Sequence, residues 1–444
     1  MSGSATLRPS PVAEPVRSQG HRRHRRARSR VRMPLAVAAA TQAVWLFWWA
    51  ATDHRAPAAG YGGADPYGLY TAALRGSVRL AGGAGPLALA QTTLAALALG
   101  YTVAALARLG TRARWTAPTA LLLAAAPPTG AFVVALAPDV PFTVCVVLAT
   151  AAALRLLARR ADGTLDGRGP VLRLDLLVLA AALLGLGTLH PHGPLVVLLT
   201  AAPLLFLLGG ARRRIALALV VAVVVPVVLG IARIPGVHRP PANTVHALRL
   251  GDLAVAYHRD PGAFTAAERA DLAAAAPLAD WDQAGERCYR APEFTGPADR
   301  WTTLLGRRPD LVLAARLCRG QLAWSVGPGP AELGGATGVR APDTTRGPLG
   351  RAAAWLHTAF RVPQLDWLLW RGATWSWIAC VALLVHARRH RLPAALPVGA
   401  AVLLAVQAGL LATATGQDHR AMAPALFLGP LLLTLVTAPR RRNA

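Results

Sequence analysis

Apolar runs of roughly the length that crosses a bilayer, about 20 residues, recur along this chain with short polar interruptions between them. They are Met33–Ala51, Pro86–Ala107, Thr116–Ala137, Val140–Ala158, Leu174–Leu189, Pro194–Leu208, Ile215–Ile231, Trp367–His386, Pro393–Thr413 and Met422–Val436. The pattern predicts an all-α polytopic membrane protein with about ten transmembrane helices. The fifth and sixth runs are short, so nine or eleven spans stay open. The long polar stretch between the seventh and eighth runs predicts a mostly helical extracytoplasmic domain inserted before the last three spans.

Composition agrees. The chain has 444 residues, 54% of them hydrophobic, and a mean hydropathy of +0.40. That excludes an ordinary soluble or disordered protein. The formal net charge is +26, and all 47 basic residues are Arg. Such a charge can mark a nucleic-acid partner. Here the arginines clump at the ends of apolar runs, where membrane orientation needs them, so no nucleic acid is expected.

The clumps set the orientation. Arg108–Arg114, Arg155–Arg173, Arg212–Arg214, Arg388–Arg391 and Arg440–Arg442 follow every second run. Basic connections face the cytoplasm, so both termini are predicted there, in a multi-pass protein of the plasma membrane. The first 32 residues, rich in Pro, Ser and Arg, read as a disordered basic tail. The first run is longer than a signal-peptide core and reads as an uncleaved anchor. The predicted organisation is thus a tail over 1–32 and spans one to seven over 33–233, with a first outer loop at 52–83. An extracytoplasmic domain over 234–366, the last three spans over 367–438 and a basic tail over 439–444 complete it.

The outer stretches carry helix signals of their own. Past Asp65-Pro66, the segment from Tyr67 to Leu80 puts Arg75 and Arg79 on one side, with Leu69, Ala73 and Leu80 largely elsewhere, as in a helix lying on a membrane surface. Thr265 with Glu268 makes a capping box opening Ala266–Ala276, and Pro309-Asp310 opens a helix to Trp324. Val326–Gly350 reads as a loop, and Leu349–Val362 as a second surface helix. Cys288 and Cys318 both fall outside, where a disulfide is expected; two buried free thiols are the alternative. Cys145 and Cys380 lie within spans as small apolar residues.

The short outer connections present Asp53, His54, Arg55, Asp65, Asp139, His190, His192, Asp418, His419 and Arg420. Carboxylates of this set can accept a proton, and His and Arg can hold an anion. Polar residues in short loops also serve simply to face water, and Asp139 suits a helix N-terminus for its dipole alone. No phosphate-binding loop with Lys and no zinc-type spacing is present, so no metal ligands are assigned. No cofactor is called for; a divalent cation is permitted by the chemistry but has no motif behind it.

This layout resembles the GT-C superfamily of integral-membrane glycosyltransferases, which use polyprenyl-phosphate-linked sugars on the outer face. Four places carry the resemblance: Asp65 (with Asp53 as rival) ahead of an amphipathic helix, and Asp139-Val140-Pro141-Phe142 opening the fourth span. The others are the break His190-Pro191-His192-Gly193 and Asp418-His419-Arg420 before the last span. The outer insert is similar to that of uncharacterised actinobacterial members. The resemblance implies Asp65 as base, supported by Asp139 or replaced by Asp53. It implies donor binding by Arg420, His419, Asp418, His190 and His192, a membrane-lipid groove for the donor tail, and a glycan or protein acceptor in the cell envelope.

The motif neighbours differ from the family pattern: His54 follows Asp53, Pro66 follows Asp65, and Pro138 precedes Asp139. A catalytically degenerate scaffold of envelope assembly therefore stands as an alternative. A transporter is a further one, although the spans carry almost no acids and no internal repeat.

Overall fold

The structure, a computed structural model, describes residues 17–54, 68–165, 170–209, 212–231, 243–288, 294–326, 347–360, 364, 366–413 and 422–439. These residues are helical and connecting segments, with no strand among them. Among the described residues five helices are long and apolar enough to cross a membrane, and a sixth span is available if one bent pair is counted as a unit.

The first helix, α1 (Arg17–Ala51), is the first departure from expectation. From Arg17 its backbone is helical through the basic stretch expected to be disordered, while the first 16 residues of that tail lie outside the described residues. Arg and Ala are strong helix formers, and extending an existing helix avoids the cost of a new nucleus. The surface helix α2 (Leu69–Ala81) forms as expected and sits between two glycines with left-handed backbones, Gly68 (φ 66°) and Gly82 (φ 69°). Only glycine takes that geometry freely, so both ends of α2 are set by the sequence.

α3 (Gly85–Arg108) packs against α1. The approach is close at Gly100, where an added Cβ would stand 2.6 Å from the Pro34 carbonyl oxygen. The expected third span is not one helix. It is α4 (Ala113–Ala125) and α5 (Pro127–Val134), bent by 65°. Pro127 and Pro128 lack the N–H groups a continuing helix needs, and Ala126 before them is extended (φ −64°, ψ 127°).

α6 (Asp139–Ala161) is the hub, with 83% of its apolar stretch enclosed. It packs on α3 and on α7 (Pro170–Leu189). Next come α8 (Gly193–Leu207) and α9 (Arg212–Ile231), which pack on each other and on α7. Large apolar side chains point away from the protein on α4 and α7 to α9, among them Leu122 (73% exposed), Leu177 (66%), Phe206 (77%) and Leu217 (66%). Outward apolar surface on helix after helix is what lipid covers.

The insert is built on α10 (Asn243–Arg259), against which α12 (Leu278–Glu286), α13 (Arg300–Arg307) and α14 (Pro309–Arg319) pack. Between α10 and α12 lies α11 (Ala266–Ala275), which carries the expected capping box. Thr265 Oγ1 accepts from the Glu268 N–H at 3.2 Å, and Glu268 Oε2 accepts from the Thr265 N–H at 2.8 Å. Trp281, wholly buried, donates from Nε1 to the Leu272 carbonyl at 3.0 Å. The helix expected to run to Trp324 divides at Gly320, giving a separate α15 (Gln321–Trp324). Cys288 and Cys318 form the expected disulfide, with Cα atoms 6.0 Å apart. Cys145 and Cys380 are free.

After the insert come α16 (Pro348–Ala359), the short α17 (Asp366–Leu369), α18 (Gly372–His390), α19 (Ala395–Thr413) and α20 (Ala423–Leu433). The eighth apolar run thus begins in α17 and, after a break at Trp370 and Arg371, continues as α18. The insert sits on the bundle: Gln407 Nε2 donates to the Ala323 carbonyl at 2.7 Å, and Trp377 Nε1 to the Trp324 carbonyl at 2.9 Å.

Candidate functional site

Three of the residues singled out above come together where α6 begins. Asp139 lies in the first turn of α6, while His190 and His192 form the turn between α7 and α8. That turn is short because Gly193 and Pro194 restart a helix at once, with Pro in the first turn where its missing N–H costs nothing. His190 Nε2 lies 3.5 Å from Asp139 Oδ1. The two imidazoles are 3.8 Å apart between centroids, and Phe142 packs against both. The expected outer-loop carboxylate Asp139 is in fact buried, at 6% exposure.

The ring nitrogens show what this cluster can do. Thr413 Oγ1 donates to the Gly409 carbonyl at 2.8 Å and lies 3.4 Å from His192 Nδ1, so it receives the Nδ1 proton. Among the described residues, buried His192 Nε2 and His190 Nδ1 have no hydrogen-bond partner. Burial, with His190 alongside, holds the His192 imidazole well below its ordinary pKa. A neutral His192 thus keeps a lone pair at Nε2, and His190 keeps Nδ1 for exchange of a proton while Asp139 holds its other nitrogen. A carboxylate orienting an imidazole in this way is a general-base arrangement.

Asp53 occupies a different place at the same end. It is exposed, just beyond α1 and beside His54. His54 is tied down: Nε2 donates to the Trp49 carbonyl at 3.0 Å, and the two rings stack at 5.6 Å. Burial lowers the His54 pKa against the opposing pull of that carbonyl and of Asp53. Trp49 and Leu136 belong to one small apolar cluster with Ala84 and Ala88, which places the end of α1 beside the approach to Asp139. Asp65, Asp418, His419 and Arg420 lie outside the described residues. No three His, Cys, Asp or Glu side chains among the described residues form a group able to hold a metal.

The structure adds residues that the sequence reading passed over. Arg371, just ahead of α18, is 2% exposed, next to Gly372, whose backbone abuts Met422 at the start of α20. His357 on α16, also 2% exposed, packs on neighbouring Trp370 at 5.4 Å. The signal for both was present: a basic side chain at an apolar run's edge, beside tryptophans. Asp175 is the acid that the expected spans do carry. It is fully buried on α7, between Arg155 and Arg159 of α6. At the sixth position of its helix, it lies near an end and not at mid-span.

No protein-family model, curated protein or solved structure matches this chain. Its functional reading therefore rests on the arrangement of its own residues.

Proposed function

We propose that this chain is a membrane glycosyltransferase of the GT-C kind, moving a sugar from a polyprenyl-phosphate donor to an acceptor hydroxyl on the outer membrane face. The observation that carries the reading is the buried Asp139–His190–His192 cluster at one end of an apolar helical bundle. In this reading the His190 ring, held by Asp139, takes the acceptor's proton as its oxygen attacks the anomeric carbon. The bond from that carbon to the phosphate oxygen breaks, and the polyprenyl phosphate leaves with the added negative charge. Arg371, with Arg420 and His419, supplies the cations that such a leaving group needs. Asp65, and more distantly Asp53, compete with His190 for the role of base.

The same reading has ten spans, with both termini in the cytoplasm and the insert outside. It counts the α4–α5 pair as one span and adds α8, α9, α18 and α20 to the five long helices. Outward Phe206 on α8, Leu217 on α9, Val381 on α18 and Leu433 on α20 support those additions. At 15 residues, α8 spans about 22 Å, short of a hydrocarbon core of about 30 Å, so the bilayer thins beside it.

The test is transfer of labelled sugar from polyprenyl-phosphate donors in membranes of cells lacking the native protein. Asp139→Asn and His190→Gln should each lower transfer by about 10²-fold or more. Full transfer by both, with loss in Asp65→Asn, moves the base to Asp65. A wild-type protein inactive with every donor points instead to the scaffold reading.

A further inference from the structure

The opposite end of α6 carries a second polar site, unconnected with the sugar-transfer chemistry. A cavity of about 250 Å³ lies between the ends of α3, α6 and α18, framed by Arg108, His386, His390 and Arg391 over Ala158 and Ala161. This is far more room than a water molecule needs. The two alanine methyls on α6 leave the space that the four longer side chains surround.

The wall is cationic. Arg108 closes α3, and His386 and His390 stand one turn apart on α18, their centroids 4.3 Å apart. Arg391 ends that helix with φ 51°, a backbone geometry uncommon outside glycine. Among the described residues no carboxylate lines the cavity. The acids near Arg108 are Asp162 and Asp175, and Asp175 is occupied by Arg155 and Arg159. Arg108, Arg155, Arg159 and Arg391 against Asp162 and Asp175 leave two positive charges even with both histidines neutral. At the same end Trp115, half exposed, has Arg114 over its ring at 5.9 Å. Such a pair marks the level of the membrane interface, where lipid phosphates sit.

We infer that this cavity binds a phosphate group, presented by an anionic lipid headgroup or by a soluble phosphate. Guanidinium groups match phosphate oxygens in pairs, and imidazole N–H groups add donors. Basic recesses between spanning helices are a physical fit for anionic headgroups.

The experiment uses the full chain, purified and delipidated in detergent. Binding of dioleoylphosphatidylglycerol, dioleoylphosphatidylcholine and inorganic phosphate is followed by native mass spectrometry and thermal shift. Phosphatidylglycerol should bind ahead of phosphatidylcholine. Arg108→Gln with Arg391→Gln should weaken it by about 30-fold, taking each arginine at about fivefold. Arg108→Lys with Arg391→Lys should keep most of the binding, and Arg269→Gln, exposed on the insert, all of it. Protection by inorganic phosphate, lost in the Gln pair and without preference between lipids, assigns the site to a soluble phosphate. Equal binding of every probe by the wild type and the Gln pair overturns the inference.

Discussion

One carboxylate on α7 holds two arginines of α6: Asp175 Oδ1 accepts from Arg155 Nε at 2.6 Å and Oδ2 from Arg159 Nε at 2.8 Å. The spacing of four residues puts both arginines on one face of α6. Tyr101 on α3 donates its hydroxyl to the same Asp175 Oδ1 at 2.8 Å, and the Arg155 guanidinium lies 4.7 Å from its ring centroid. Three helices are thus joined at a fully buried anion.

Removing that anion should be costly. Asp175→Asn leaves two largely buried guanidinium groups facing each other, and breaking a buried pair costs about 3–5 kcal/mol. Denaturant unfolding in micelles should show that loss, whereas Arg155→Lys, which keeps the charge, should lose less. Wild-type stability in Asp175→Asn would mean the cluster is solvated and holds nothing together.

Acid should weaken the fold through His192. Its folded-state pKa is depressed by burial, while the unfolded chain takes up the proton near pH 6.5. Below that pH the unfolded state binds more protons, so stability is flat above about pH 6.5 and falls as pH drops below it. The slope approaches about 1.4 kcal/mol per pH unit for one such group. Melting temperatures from pH 5 to 8 should show the fall, and His192→Asn should flatten it. An unaltered slope in that variant would assign the titration to another group.

The disulfide should matter to the insert and not to the bundle. Cys288 and Cys318 are 30 residues apart in sequence, and closing a loop of that length stabilises by about 3–4 kcal/mol through the unfolded chain. Cys288→Ser with Cys318→Ser should lower the midpoint for the insert's unfolding, read from Trp281 fluorescence. Alkylation of Cys288 or Cys318 in unreduced protein would remove the basis for this expectation.

Topology has a direct measurement. In a background with Cys145 and Cys380 replaced by Ala, an impermeant thiol reagent applied to intact cells should reach Gly306→Cys and miss Thr164→Cys. Gly306 has open space where a side chain would go, and Thr164 is exposed in the α6–α7 connection. Labelling of Thr164→Cys from outside would reverse the orientation drawn from the arginines.

What the sequence disclosed followed from local rules. The capping box at Thr265 and the prolines at 127 and 128 act through the backbone nearby, and each can be read without knowing the fold. The bend at Ala126 was announced by Pro127-Pro128, but hydropathy alone read through it because both sides are apolar. The meeting of Asp139 with His190 and His192 was legible only as three polar residues in short connections; their contact depends on how α7 returns to α6. Asp175 was missed because an acid inside an apolar run makes sense only once Arg155 and Arg159 are seen facing it. Arg371 and the cavity by Arg108 are likewise products of packing among distant helices.

The break between α4 and α5 also bears on how the chain is made. Trp45 of α1 donates from Nε1 to the Ala124 carbonyl at 3.0 Å, the carbonyl that Pro128, lacking an N–H, leaves without its helical donor. Bare carbonyls in lipid cost several kcal/mol each, so this bent segment is a poor candidate for insertion by itself. During synthesis α1 leaves the ribosome well before residue 124. The indole that quiets the break is therefore already made when the break arrives, and the N-to-C order of translation becomes part of the assembly route.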